Sequence, residues 1–261
     1  MNRMSLPGCT PVPLAGWLKA VGVLRLVAEQ AAPQARGCWR QGRFELCGAL
    51  DAEGLRRFFL HDYRPTPVVA PWNGGSGFFP KDNQGGIAPI SEGQAPRLAP
   101  YRQAIEFGRS LLARLNISAK PDTRQKAELL RRFRAEAPEP VLDWFNAAVM
   151  LSGDDPRYPP LLGTGGNDGR LDFTNNFMQR LVDLFDPATG DPTPDAAGWL
   201  EEALFGVPEP TRIKGAIGQF SPGDAGGPNA STGFEGSSLI NPWDFVLMIE
   251  GAMAFAAAVS R

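Results

Sequence analysis

Asp122-Thr123-Arg124-Gln125-Lys126-Ala127-Glu128-Leu129-Leu130-Arg131-Arg132-Phe133-Arg134-Ala135-Glu136 decides the class of fold. At 100° per residue, Leu129 and Phe133 fall on one side, and Arg124, Arg131 and Arg134 fall within about 80° of arc on the other. The segment therefore predicts an amphipathic helix with a cationic stripe. Upstream, Tyr101, Ile105, Gly108, Leu112 and Leu115 make one helical face, while Arg102 and Arg109 lie a heptad apart on another. Downstream, Val141, Leu142, Phe145 and Val149 mark a helix over about 139–151. The same spacing at Leu14, Leu18, Val21, Leu24 and Val27 predicts a helix over 14–32, which Pro33 blocks from continuing. Asp51 caps a second, running to about Tyr63 and ended by Pro65. Further helices run from Phe173 to about Phe185, over about 195–205, and from the Asn241-Pro242 cap to Arg261. Against these stands one hairpin, Cys38-Trp39-Arg40 and Phe44 to Cys47 around Gln41-Gly42-Arg43. The expected fold is α+β: mostly α-helical, with a small β-hairpin or sheet and long Gly/Pro-rich loops. It divides into an N-terminal α+β region (1–100) and a helical region (101–261), or forms one continuous domain.

The 261 residues suffice for a buried core without staples. Hydrophobic residues make up 43% and charged residues 21%, which excludes a disordered, collagen-like or coiled-coil chain. Gly and Pro together reach 55 residues, about a fifth of the chain where about an eighth is usual, so much of the molecule is loop. The most apolar stretch, Phe245 to Val259, is short for a bilayer and carries Glu250, so it reads as a buried helix and no membrane partner is expected. Cys9, Cys38 and Cys47 form an odd set without C-x-x-C spacing, and no signal peptide opens the chain. The expected location is the cytoplasm.

The net charge of −2 conceals an asymmetry. From Arg97 to Arg134 there are ten basic and three acidic residues; from Glu136 to Glu209 there are fourteen acids and three arginines. One surface should face a polyanion and another should face away from nucleic acid or meet a basic partner.

The chemistry of most enzymes is hard to build from this inventory. His61 is the only histidine, no serine sits in a G-x-S-x-G elbow, no glycine loop ends in a Walker lysine, and Cys and His do not cluster at metal-ligand spacing. Asp154, Asp155, Asp168, Asp172, Asp183 and Asp186 have no recognisable metal spacing and read as caps and solvated faces. No catalytic residue, metal or cofactor is expected. What remains is a set of glycine loops with polar and aromatic residues embedded. The first, within an irregular segment over 64–100, holds Trp72, Asn73, Lys81, Asn83 and Gln84; the second holds Asn167 and Arg170. Glycine lets a backbone approach a partner closely, and Asn, Gln and Lys beside it reach base edges or phosphates. Turns plugged into the core by Trp72 and Phe78 are the other reading. These seven residues, with Arg124, Arg131 and Arg134, form the candidate nucleic-acid-binding set.

Four strings carry a family resemblance. Leu6-Pro7-Gly8-Cys9-Thr10-Pro11 with Leu14 to Ala20 opens the chain; Tyr63-Arg64-Pro65-Thr66-Pro67 leads to Phe79-Pro80-Lys81-Asp82; Leu162-Gly163-Thr164-Gly165-Gly166-Asn167-Asp168-Gly169 leads through Phe173-Thr174-Asn175-Asn176-Phe177; Asn241-Pro242-Trp243-Asp244 follows. In this order they resemble the large subunit of type I-G (formerly I-U) CRISPR interference complexes. The resemblance implies a noncatalytic component of a crRNA-guided complex. Such a component would bind double-stranded target DNA beside the protospacer, recognise the adjacent motif (PAM), help open the duplex and scaffold the other effector subunits. A helicase-nuclease would be recruited in trans. Family members are longer, so the chain would correspond to an N-terminal portion. A purely protein-protein module of the same complex, with no DNA contact, is the alternative.

Overall fold

The computed structural model describes residues 3–48, 50–152, 155–163, 167–168, 171–224 and 238–255. In chain order they form β1 (Arg3–Leu6), α1 (Leu14–Gln30), β2 (Arg36–Arg40), β3 (Arg43–Cys47), α2 (Ala52–Arg57) and α3 (Ile87–Glu92). Then come α4 (Ala99–Arg114), α5 (Thr123–Glu136), α6 (Glu139–Ala148), β4 (Met150–Ser152), β5 (Asp155–Arg157), β6 (Asn167–Asp168) and β7 (Leu171–Asp172). The last are α7 (Phe173–Leu184), α8 (Ala196–Phe205), β8 (Ile213–Gly215), β9 (Ser238–Ile240) and α9 (Pro242–Ala252). The fold is α+β and mostly helical, with antiparallel sheets of two or three strands. Among the described residues no helix is long and apolar enough to cross a membrane.

The chain forms two compact units. The first comprises Met1–Arg64, Asp183–Asp186 and Gly190–Ala254; the second comprises Pro65–Val182, Pro187–Thr189 and Phe255–Arg261. Residue 100, where the sequence suggested a boundary, lies inside α4 of the second unit.

In the first unit α1 crosses α9 at backbone contact. A Cβ on Gly22 would sit 2.0 Å from the Leu247 carbonyl oxygen, and one on Gly251 would sit 1.9 Å from that of Leu18, so only glycine permits this approach. Two buried charges, Lys19 and Glu250, lie on the seam, each paired with a less buried partner. Lys19 Nζ lies 2.6 Å from Asp244 Oδ1, and although burial pushes the Lys19 ammonium pKa down, Asp244 beside it raises it above its ordinary value. Glu250, fully buried, accepts from Arg25 Nη1 at 2.7 Å and from the Tyr63 hydroxyl at 2.6 Å. Tyr63, Phe59, Phe185 and Trp243 surround these groups with ring centroids about 6 Å apart. The expected β2–β3 hairpin forms around Gln41 and Gly42, both at positive φ, and β1 adds to β3 as a third antiparallel strand absent from the sequence reading.

Helix ends follow their caps. Asp51 accepts from Gly54 N, Asp122 and Gln125 complete a capping box on α5, and Asn241 accepts from Trp243 N ahead of Pro242. Two expectations need correction. Residues 64–100 are not continuously irregular: α3 and a 3-10 turn over Pro96–Leu98 interrupt them, because Ile87, Ile90 and Leu98 find buried positions. The last helix stops at Ala252 and passes into a 3-10 turn over Met253–Phe255; the rest of the expected helix lies outside the described residues.

Candidate nucleic-acid interface

The second unit builds its first glycine loop on a pinned approach. Tyr101 Oη donates to the Val68 carbonyl at 2.6 Å and Trp144 Nε1 to that of Val69 at 2.9 Å, fixing the extended run that delivers Trp72. Trp72 is 1% exposed, edge-on to Phe133 of α5 and Phe145 of α6. It plugs the core, so as a DNA-contacting residue it is corrected to an anchor of the loop. Asn73 is likewise buried; its Oδ1 accepts from Lys126 Nζ at 3.0 Å and its carbonyl from Ser76 Oγ at 2.7 Å.

Beyond Asn73 the backbone turns through Gly75 (φ 89°) and Gly77 (φ 91°), a region L side chains rarely adopt. One carboxylate holds the turn together. Asp82 Oδ1 accepts from Gly75 N at 2.9 Å, and its Oδ2 accepts from Gly77 N at 3.0 Å and Phe79 N at 3.2 Å. Gln84 Nε2 braces the inside by donating to the carbonyls of Gly77, Phe79 and Asp82. Exposed Gln84 is thus a strut, its amide nitrogen already engaged. Asn83 is exposed, with Oδ1 accepting from Gly85 N at 2.8 Å, and Lys81 stands exposed at the tip.

Two helices clamp this loop. From α7, Asn175 Nδ2 donates to the carbonyls of Gly75 at 2.8 Å and Asn83 at 3.0 Å. The second and third sequence strings, 100 residues apart, thereby meet in one element. From the start of α5, Lys126 reaches Asn73 while the Lys120 stem lies against Gly74. Sequence reasoning missed Lys126, although its spacing to Leu129 and Phe133 puts it on the inward face of α5. Burial, then the neighbouring Lys120, lowers its ammonium pKa; its Nζ also lies 5.0 Å over the Tyr158 ring.

Asp172, ahead of α7, was read from sequence only as one of several acids. It is buried, its Oδ1 accepts from Thr174 Oγ1 and from Asn175 N, and its Oδ2 has no hydrogen-bond partner among the described residues. Burial raises its carboxyl pKa to about 6, against lowering by the Thr174 and Asn175 hydrogen bonds.

Arg124, Arg131 and Arg134 are all exposed along α5, as the periodicity required. Arg131 lies 3.7 Å from Glu128, whereas Arg124 and Arg134 form no ion pair among the described residues. Glu128 and Glu136 are engaged mainly by Arg132 and Arg114 instead. Asn167 lies in β6, whose backbone pairs with β7 in the register Asn167↔Asp172; Arg170 lies outside the described residues. Single-histidine chemistry gains no support: His61 is exposed on the turn after α2. No protein-family model matches the chain, and no curated protein matches it.

Proposed function

We propose that this chain is the N-terminal portion of a noncatalytic large subunit of a type I-G CRISPR interference complex, and that its second unit contacts target duplex beside the protospacer. The observation that carries the reading is the Asn175 bridge. It joins the two glycine strings on which the resemblance rests into one pre-shaped loop whose exposed tip presents Lys81 and Asn83. The outer strings meet too, through the Lys19–Asp244 ion pair of the first unit. A loop already locked by Asp82, Gln84 and Asn175 loses little further entropy on binding, which suits recognition of a few base pairs. Lys120 and Arg124 extend positive charge from this loop along α5, where phosphates set register without reading sequence. In this role guide pairing reads the target, and the crRNA, the other effector subunits and a trans-acting helicase-nuclease supply the rest.

The test uses the chain assembled with guide RNA and the other effector subunits, on targets flanked by a randomised motif. Lys81→Ala with Asn83→Ala should cost about 5- to 150-fold in discrimination between preferred and rejected flanks, the loss of one base contact. Full discrimination by that variant would overturn the loop assignment. Binding of target DNA that depends on neither flank nor salt would favour the protein-protein module.

A further inference from the structure

The three-stranded sheet of the first unit has two chemically opposite faces. Directly paired residues of antiparallel strands point to the same side, and alternate residues along a strand point to opposite sides. Leu6, Phe44, Trp39, Met4 and Leu46 therefore share one face, which packs toward α1: a Cβ on Gly37 of that face would meet Phe44 and Leu24. The register Arg3↔Cys47↔Arg36 and Arg40↔Arg43 puts four arginines on the other. All four are exposed.

The charge on this face is lopsided. Its one acid is Glu45, 3.5 Å from Arg40 Nε, and no carboxylate pairs with Arg3, Arg36 or Arg43 among the described residues. Arg40 and Arg43 stand directly opposite across the turn, an arrangement that costs stability unless an anion lies over it. The thiols of Cys38 and Cys47 and the Glu45 carboxylate lie within 4.8 Å of one another at the centre. They offer three ligand atoms for a metal, but four arginines share their face and repel a cation. The sign of the face selects an anion instead.

We propose that this arginine face is a polyanion-binding surface that takes the phosphate backbone of a nucleic acid, separate from the loop and α5 stripe of the second unit. Strands about 4.8 Å apart, with alternate residues about 6.7 Å apart, spread the four forks over a patch about 10 by 13 Å. Guanidinium forks match phosphate oxygens two at a time, so the patch engages several consecutive phosphates without reading sequence.

The experiment is equilibrium binding of the whole chain to fluorescent single-stranded and duplex DNA between about 50 and 200 mM salt. Arg36→Ala/Arg40→Ala/Arg43→Ala should weaken binding at least about tenfold and flatten the slope of log affinity against log salt by about 2 to 3, at roughly 0.9 per lost contact on duplex. A second readout needs no variant. Cys38 is half-buried on this face, whereas Cys9 and Cys47 are buried, so bound DNA should slow alkylation mapped to Cys38 in the unaltered chain. Unchanged affinity and slope, with Cys38 alkylated equally fast with and without DNA, would overturn the proposal. Failure of the sheet variant to change binding, while Arg124→Ala/Arg131→Ala/Arg134→Ala weakens it, would remove this face and leave the α5 reading standing. The reverse pattern would support this face and remove the α5 stripe.

Discussion

Each unit buries a carboxylate, and the two environments treat it in opposite ways. Glu250 in the first unit is fully buried and compensated: Arg25 and Tyr63 donate to it from separate elements. Asp172 in the second unit is buried too, yet one oxygen has two donors and the other has none among the described residues. The nearby cations follow the same contrast. Lys19 is held by Asp244 and its ammonium pKa rises, whereas Lys126 has the neutral Asn73 as its hydrogen-bond partner and its pKa falls. A seam that only holds the fold together saturates its charges, because an uncompensated buried charge costs several kcal/mol. Beside the glycine loop the compensation is weaker: Lys126 and Asp172 attract each other without forming an ion pair, and burial outweighs that attraction at both groups.

The largest effect should come from the seam itself. Gly22→Ala places a methyl group 2.0 Å from the Leu247 carbonyl oxygen and must part α1 from α9, at about 3–4 kcal/mol by urea denaturation. Glu250→Gln keeps the shape but removes the buried counter-charge of Arg25, leaving it the half-exposed Glu29 at 3.0 Å, and should cost about 3 kcal/mol. Asp172→Asn should move stability the other way. The Asp172 carboxyl, raised from 3.8 to about 6 by burial, binds its proton more tightly folded than unfolded. The associated stability is present below about pH 4 and lost as pH rises through 6. Thermal melts from pH 4 to 8 should show that loss in the parent chain and a flatter profile in the variant, which at pH 7.5 should be about 3 kcal/mol more stable. A destabilised Asp172→Asn with an unchanged pH profile would erase the contrast between the units. Smallest of all, Lys81→Ala and Asn83→Ala should each shift stability by under about 0.5 kcal/mol in the same melts, since both side chains are exposed.

Local chemistry made the first unit's helices and much of the second's legible in sequence. Asp51 and Asn241 each cap a helix where their side chains predict one, and the stripe on α5 follows from 3.6-residue periodicity. Non-local pairing was not legible. Arg3–Leu6 joins a strand some forty residues away with no tight turn between them, so its arginine was not connected to those of the hairpin. The loop site was half legible. Glycines and polar residues marked the segment, but nothing local distinguishes the buried Trp72 and Asn73 from the exposed Lys81, or shows that Gln84 braces the loop from within. Asp172 looked like an ordinary cap because its missing partner is a property of the packed site alone.

The salt dependence of duplex binding by the whole chain, compared with Arg124→Ala/Arg131→Ala/Arg134→Ala, tests the proposed interface most directly. The parent chain should show a linear fall of log affinity with log salt, and the variant should bind all sequences more weakly with a slope flatter by about 2 to 3. A variant that matches the parent in both affinity and slope would contradict the assignment of the α5 face to nucleic acid.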